Sequence, residues 1–123
     1  MDFDELSNQV IGCALEVHRN LGPGLLESAY SQCLAHELAL EQIPFTAERA
    51  IPVEYKGVRL DCGYRADLVV DAELLVELKS VDELLPIHEA QVLTYMRLAE
   101  IATGLLINFN VPLLKHGIRR FVL

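Results

Sequence analysis

The sequence predicts an α+β domain, and three observations carry that prediction. Apolar residues recur at helical spacing in two stretches before Pro44. They alternate with charged residues through the middle of the chain. A third helical stretch after Pro86 then leads into two short apolar runs. The order is helix, helix, three antiparallel strands, helix, strand, strand.

In the first stretch, Leu6, Val10, Cys13, Ala14, Val17 and Leu21 share one helical face. Gly22-Pro23-Gly24 stops it where a helix C-terminus favours glycine and then proline. A second helix is expected from about Leu25 to Gln42, packing through Leu26, Ala29, Cys33 and Leu40 and broken by Ile43-Pro44. If Lys56-Gly57 is a two-residue hairpin turn, Tyr55 faces Val58, Glu54 faces Arg59, Val53 faces Leu60 and Ile51 faces Cys62. One face of that hairpin is then apolar and the other carries an opposite-charge pair. From Val58 onward the even positions Leu60, Cys62, Tyr64, Ala66, Leu68 and Val70 continue the core face. The odd positions Arg59, Asp61, Gly63, Arg65, Asp67 and Val69 form a charged one, which reads as one long strand.

Asp71-Ala72-Glu73 reads as a short turn, and Leu74 to Lys79 as the returning strand. A turn centred on Ala72 sets Val69 opposite Leu75, Asp67 opposite Glu77 and Arg65 opposite Lys79, with Leu68, Val70, Leu74, Val76 and Leu78 on the other face. A helix over Ile87 to Ile101, a buried strand over Gly104 to Phe109 and a last strand over Ile118 to Leu123 complete the chain.

Composition narrows the function classes. The 123 residues are the size of one domain, spanning 1–123. With 52% hydrophobic residues the chain is neither disordered nor of low complexity, and no apolar stretch nears the ~18 residues of a membrane helix. The N-terminus is acidic where a secretory signal would be basic, so a cytoplasmic location is expected. Three cysteines, Cys13, Cys33 and Cys62, lie far apart with no CxxC, and the four histidines show no HExxH. These patterns disfavour a disulfide framework and a zinc site. Asp and Glu number 18 against 10 Lys and Arg, a net charge of −8 that speaks against a generic basic nucleic-acid coat. It leaves room for a protein whose carboxylates hold divalent cations. The short, apolar-rich chain is also compatible with a homodimer.

The Ala72 register brings Asp67 and Glu77 face to face, with Cβ atoms ~5 Å apart, and puts Lys79 one step along the same face. Like charges so placed repel, and a hard divalent cation relieves the repulsion, because Mg²⁺ takes one or two carboxylates together with water and phosphate oxygens. Lys79 beside them suits activation of a water or stabilisation of a developing negative charge. The competing reading is a solvated sheet face on which Arg65 and Lys79 balance the acids. Glu27 and Tyr30 lie three apart on the second helix. Gln91 and Tyr95 lie four apart on the third, with His88 a turn before them. Each also has an ordinary structural reading: a first-turn acid, a core tyrosine with a wet hydroxyl, a helix-start histidine.

Gly24-Leu25-Leu26-Glu27-Ser28-Ala29-Tyr30 carries the GxxExxY signature. Asp67, a nine-residue gap and then Glu77-Leu78-Lys79 match an acid followed by E-x-K, and Gln91-Val92-Leu93-Thr94-Tyr95 matches QxxxY. In these motifs and their order the chain resembles the GxxExxY proteins and, with them, the PD-(D/E)XK nuclease superfamily. The resemblance covers nearly the whole chain. It implies a restriction-endonuclease-like core, a central mixed sheet flanked by helices. It further implies Mg²⁺ (or Mn²⁺) held by Asp67, Glu77 and the backbone carbonyl of Leu78, with Lys79 positioning or deprotonating the attacking water. Glu27 would orient the site or help hold a second metal, and Gln91 would act with the catalytic set. Tyr30, His88 and Tyr95 would support the site or contact substrate. The superfamily's proline before the acid is Ala66 here. The implied activity is metal-dependent hydrolysis of DNA or RNA phosphodiester bonds. The alternative is a non-catalytic scaffold for nucleic acid or protein that retains the fold. The intact acidic set favours the first. The sparse basic residues, clustered only at Lys115, His116, Arg119 and Arg120, favour the second.

Overall fold

In the computed structural model, which describes residues 3–123, Asp4 opens the first helix. Met1 and Asp2 of the acidic N-terminus lie outside the described residues. The Asp4 carboxylate accepts the Ser7 N–H at 3.0 Å and satisfies one of the donors that a helix start leaves free. The elements are α1 (Glu5–Leu21), α2 (Glu27–Leu40), β1 (Phe45–Ala50), β2 (Val53–Tyr55), β3 (Val58–Leu60), β4 (Arg65–Val70), β5 (Leu74–Lys79), α3 (Pro86–Ala99), β6 (Thr103–Asn108), a 3₁₀ turn (Leu114–Gly117) and β7 (Ile118–Val122).

Five strands form a mixed sheet in the order β1-β4-β5-β6-β7, and β2 and β3 make a separate hairpin. β5 and β6 are parallel, because α3 carries the chain across one face between them; the other neighbours are antiparallel. Helices cover both faces, so β5 is apolar on both sides. Leu68, Val70, Leu74, Val76, Leu78 and Ile107 pack against α1 and α2. Val69, Leu75 and Leu106 pack against Val92, Tyr95 and Met96 of α3. The fold is thus the α+β arrangement of a central mixed sheet flanked by helices.

The turn registers hold. Tyr55 pairs with Val58 and Val53 with Leu60; across the Ala72 turn Val69 pairs with Leu75. Three expectations need correction. First, α2 buries Tyr30, Leu34 and Leu38, whereas Leu26 and Leu40 are 77% and 62% exposed. The Tyr30 ring sets the face: it stacks on Phe109 with centroids 4.4 Å apart, its hydroxyl donates to the Gly22 carbonyl at 2.6 Å, and it accepts the Leu25 N–H at 3.2 Å.

Second, Phe45–Ala50, which lacks a period of two, is an edge strand pairing with β4 from Phe45↔Val70 to Ala50↔Arg65. Third, the long strand from Val58 is interrupted at residues 61–64. Asp61 Oδ1 accepts the Gly63 N–H at 2.9 Å, and Gly63 takes φ of +79°, a bend that suits glycine. Val58, Leu60, Cys62 and Tyr64 are exposed as a result, and Ile51 meets Tyr64, donating to its carbonyl at 2.9 Å, in place of Cys62.

Candidate active site

The β4–β5 ladder runs Val70↔Leu74, Val69↔Leu75 and Leu68↔Val76. One step further it would pair Asp67 with Glu77, but there the strands part. β4 stays on β1 as far as Arg65↔Ala50, and β5 stays on β6 as far as Lys79↔Asn108. Two carboxylates span the fork. Glu77 Oε1 accepts the Asp67 N–H at 2.8 Å, and Asp67 Oδ2 accepts the Leu78 N–H at 2.8 Å. Each acid thereby satisfies a backbone donor that the opening of the sheet would leave unpaired. The expected opposition of Asp67 and Glu77 becomes this reciprocal exchange, and the expected Arg65–Lys79 pair does not form: Arg65 pairs with Asp61 at 3.4 Å.

Both acids hold their protons more tightly than usual. Burial first, and then the Asp67 charge, push the Glu77 carboxyl up to about 8. Burial also raises Asp67; the Leu78 N–H bond and Lys79 oppose the rise, while the Glu27 and Glu48 charges add to it. One oxygen of each acid is committed to backbone. Among the described residues no buried side-chain oxygen lacks a partner, so Glu77 Oε2 and Asp67 Oδ1, which accept no protein hydrogen bond, reach solvent. Two open carboxylate oxygens fit a hard cation that takes the rest of its shell from water and phosphate. No three His, Cys, Asp or Glu side chains among the described residues are grouped to hold a metal.

Lys79 closes the other side. Its Nζ donates to Gln91 Oε1 at 3.3 Å, and Gln91 Nε2 donates to the Tyr95 hydroxyl at 3.2 Å. Lys79 makes no ion pair among the described residues, and its charge lowers both carboxyls. Gln91 and Tyr95 face it because they lie one turn apart on α3. Tyr95 is nearly buried; burial, and then the Glu77 charge, raise its hydroxyl.

Glu27 is exposed at the start of α2, yet its charge acts on Asp67 and Glu77. Ser80 Oγ, just past β5, donates to the Leu25 carbonyl at 2.5 Å and ties that helix start to the site. Tyr30 is buried away from solvent and shapes the Gly22–Leu25 turn ahead of Glu27. His88 Nδ1 accepts the Leu85 N–H at 3.0 Å, a bond that starts α3. The His88 ring also lines a groove beside Lys79 and Gln91.

Two neighbours escaped the motifs. Glu48 lies on β1 where its register reaches Asp67, takes φ of +50°, and raises the Asp67 carboxyl. Tyr64 faces Tyr95 with centroids 5.9 Å apart. Recognising Phe45–Ala50 as a strand was the missing signal for Glu48; the Asp61–Gly63 turn was the one for Tyr64. Among the described residues no helix is long and apolar enough to cross a membrane. No curated protein and no solved structure gives a significant match to the chain. A family model described as the PD-(D/E)XK nuclease superfamily matches residues 4–121.

Proposed function

The chain belongs to the PD-(D/E)XK nuclease superfamily, and from that premise we propose that it is a metal-dependent phosphodiesterase hydrolysing DNA or RNA. The observation that carries the proposal is the fork between β4 and β5. There, two carboxylates spend one oxygen each on backbone and keep the other open, next to a lysine that makes no ion pair among the described residues.

Asp67, Glu77 and the backbone carbonyl of Leu78 would hold the cation, Mg²⁺ or Mn²⁺. Bound there, it supplies Lewis-acid stabilisation of the phosphate and makes water acidic enough to become a nucleophile near neutral pH. Lys79 hydrogen-bonds the attacking water and stabilises negative charge that grows on the phosphoryl oxygens. Gln91 holds the Lys79 ammonium in place and is itself held by Tyr95, so the lysine loses little freedom when substrate arrives. Because Glu77 keeps its proton up to about 8, the site would take a cation more readily as pH rises. Glu27, on the rim, would orient the site, its charge acting on Asp67 and Glu77.

The test is cleavage of labelled DNA and RNA, single- and double-stranded, with Mg²⁺ or Mn²⁺ and with EDTA. Cleavage is expected only with metal, and Lys79→Ala is expected to lower it by on the order of 10²-fold or more. A protein that kept the fold for binding alone would cut none of these substrates; that result, or cleavage that is unchanged in Lys79→Ala, overturns the proposal.

A further inference from the structure

The groove beside Lys79 has a chemistry that metal binding and water activation do not use. It holds about 640 Å³ and is mostly apolar, walled by Val53, Tyr64, Ile87, Tyr95 and Leu98, with Lys79 and Gln91 at the catalytic end. Tyr64 is 46% exposed, and its ring leans toward that of Tyr95 at an angle of 54°. Leu98 also lines a second cleft of about 400 Å³, where Arg49, Arg59 and Arg97 are set with Glu54 and Glu100. Four of the ten Lys and Arg of this acidic chain, Lys79, Arg49, Arg59 and Arg97, therefore line two clefts that share Leu98.

A phosphodiester at Lys79 brings a sugar and a base with it. In a duplex that base is stacked inside the helix and cannot use an apolar slot. In a single strand it is free to stack on an exposed aromatic ring, and the neighbouring phosphates then reach the arginines. Charge argues the same way. Duplex binding draws most of its affinity from phosphate neutralisation by many basic residues. A net charge of −8 with so few Lys and Arg places more of the affinity in stacking.

Resting on the nuclease reading above, we propose that these two clefts form a path for a single nucleic-acid strand. One unstacked base lies against Tyr64 next to the phosphate at Lys79, and the adjoining phosphates lie at Arg97 and Arg59. The hydrogen-bonding groups of His88 and Thr94 on the groove wall face the base edge. Neither group selects the sugar, so DNA and RNA strands share the chemistry.

Binding of short labelled single-stranded DNA, single-stranded RNA and a duplex of the same sequence to the wild-type protein is measured in EDTA, where nothing is cut. Single strands are expected to bind at least about 10-fold more tightly than the duplex. Tyr64→Ala is expected to weaken single-strand binding by roughly 5- to 150-fold, the range of one base stack on an aromatic ring. Tyr64→Phe, which keeps the ring, is expected to bind as the wild type does. Arg97→Ala, at an exposed position, is expected to weaken all single strands alike and reduce the salt slope by about 1.

Equal binding of duplex and single strand, or wild-type binding by Tyr64→Ala, overturns the inference. So does a wild-type dimer that Tyr64→Ala dissociates, since the cleft would then hold a second copy. Metal-dependent cleavage that Tyr64→Ala performs with an unchanged KM overturns the strand path and leaves the nuclease standing. Ring-dependent single-strand binding without cleavage supports the path and overturns the nuclease reading.

Discussion

Glu77 is 4% exposed because β5 lies in the middle of the sheet, and its carboxyl then faces Asp67 across the fork. Its pKa of about 8, against 4.5 ordinarily, ties stability to pH in a definite direction. Between those two values the folded chain holds a proton that the unfolded chain has lost. Folding is therefore favoured toward the acid end and loses stability as pH rises from about 4.5 through about 8. Glu77→Gln, which stays neutral, should flatten that slope. Denaturant unfolding of both metal-free proteins between pH 5 and 8.5 checks this as a difference, so that the other carboxylates cancel. Parallel slopes would mean that Glu77 folds as an ordinary carboxylate. At this scale, the approach of Asp67 and Glu77 was legible because the Asp71–Glu73 turn sets the register as far as Leu68↔Val76, one step short of them. Tyr30 was legible as a motif, but its full burial was not. Its ring is claimed by Phe109, a contact 79 positions along the chain that no local period encodes.

Elements read well where an end is marked chemically. Asp4 marks the start of α1, and Gly22, with φ of +66°, marks its end. The same Asp4 takes Arg120 of β7 at 2.6 Å, so one cap also joins the first helix to the last strand. The Ser7 bonds, and to a lesser degree Arg120, lower the Asp4 carboxyl to about 2. Its contribution is full above the ordinary value of 3.8 and is lost as pH falls from there through about 2. Asp4→Ala should cost about 1 kcal/mol, most of it from the cap, since the ion pair is partly exposed. The deficit should be visible in urea unfolding at pH 7 and shrink toward pH 2; a deficit that persists there would make it a packing effect. Where no end is marked, β1 went unassigned and the buried face of α2 was misread. β1 is an exposed edge with one long-range partner, and α2 presents leucines on more than one face, so only packing against the sheet selects which is buried.

Across the whole molecule, the site is a place where the sheet gives up ladder hydrogen bonds and replaces them with two acids, whose burial and mutual repulsion keep a proton on Glu77 up to about 8 in the metal-free fold. Asp67→Asn keeps an oxygen for the Leu78 N–H and removes one charge, so the metal-free variant should be no less stable than wild type. A cation that binds only the folded state stabilises it by RT ln(1 + [L]/Kd), about 2.7 kcal/mol at 100 times Kd. For a small cooperative domain that is a rise in Tm on the order of 10 °C. Mg²⁺ or Mn²⁺ should therefore raise the wild-type Tm and leave Asp67→Asn nearly unmoved, because a neutral amide is a poor ligand for a hard cation. The two proteins then exchange rank. Without metal the variant melts at or above wild type, and with metal it melts below. Nonspecific screening of a −8 chain by divalent cations predicts a different outcome, an equal rise in both proteins. Equal shifts in thermal melts at millimolar Mg²⁺ and Mn²⁺ would leave the carboxylate pair as a structural splice between β4 and β5 and remove the metal from the mechanism.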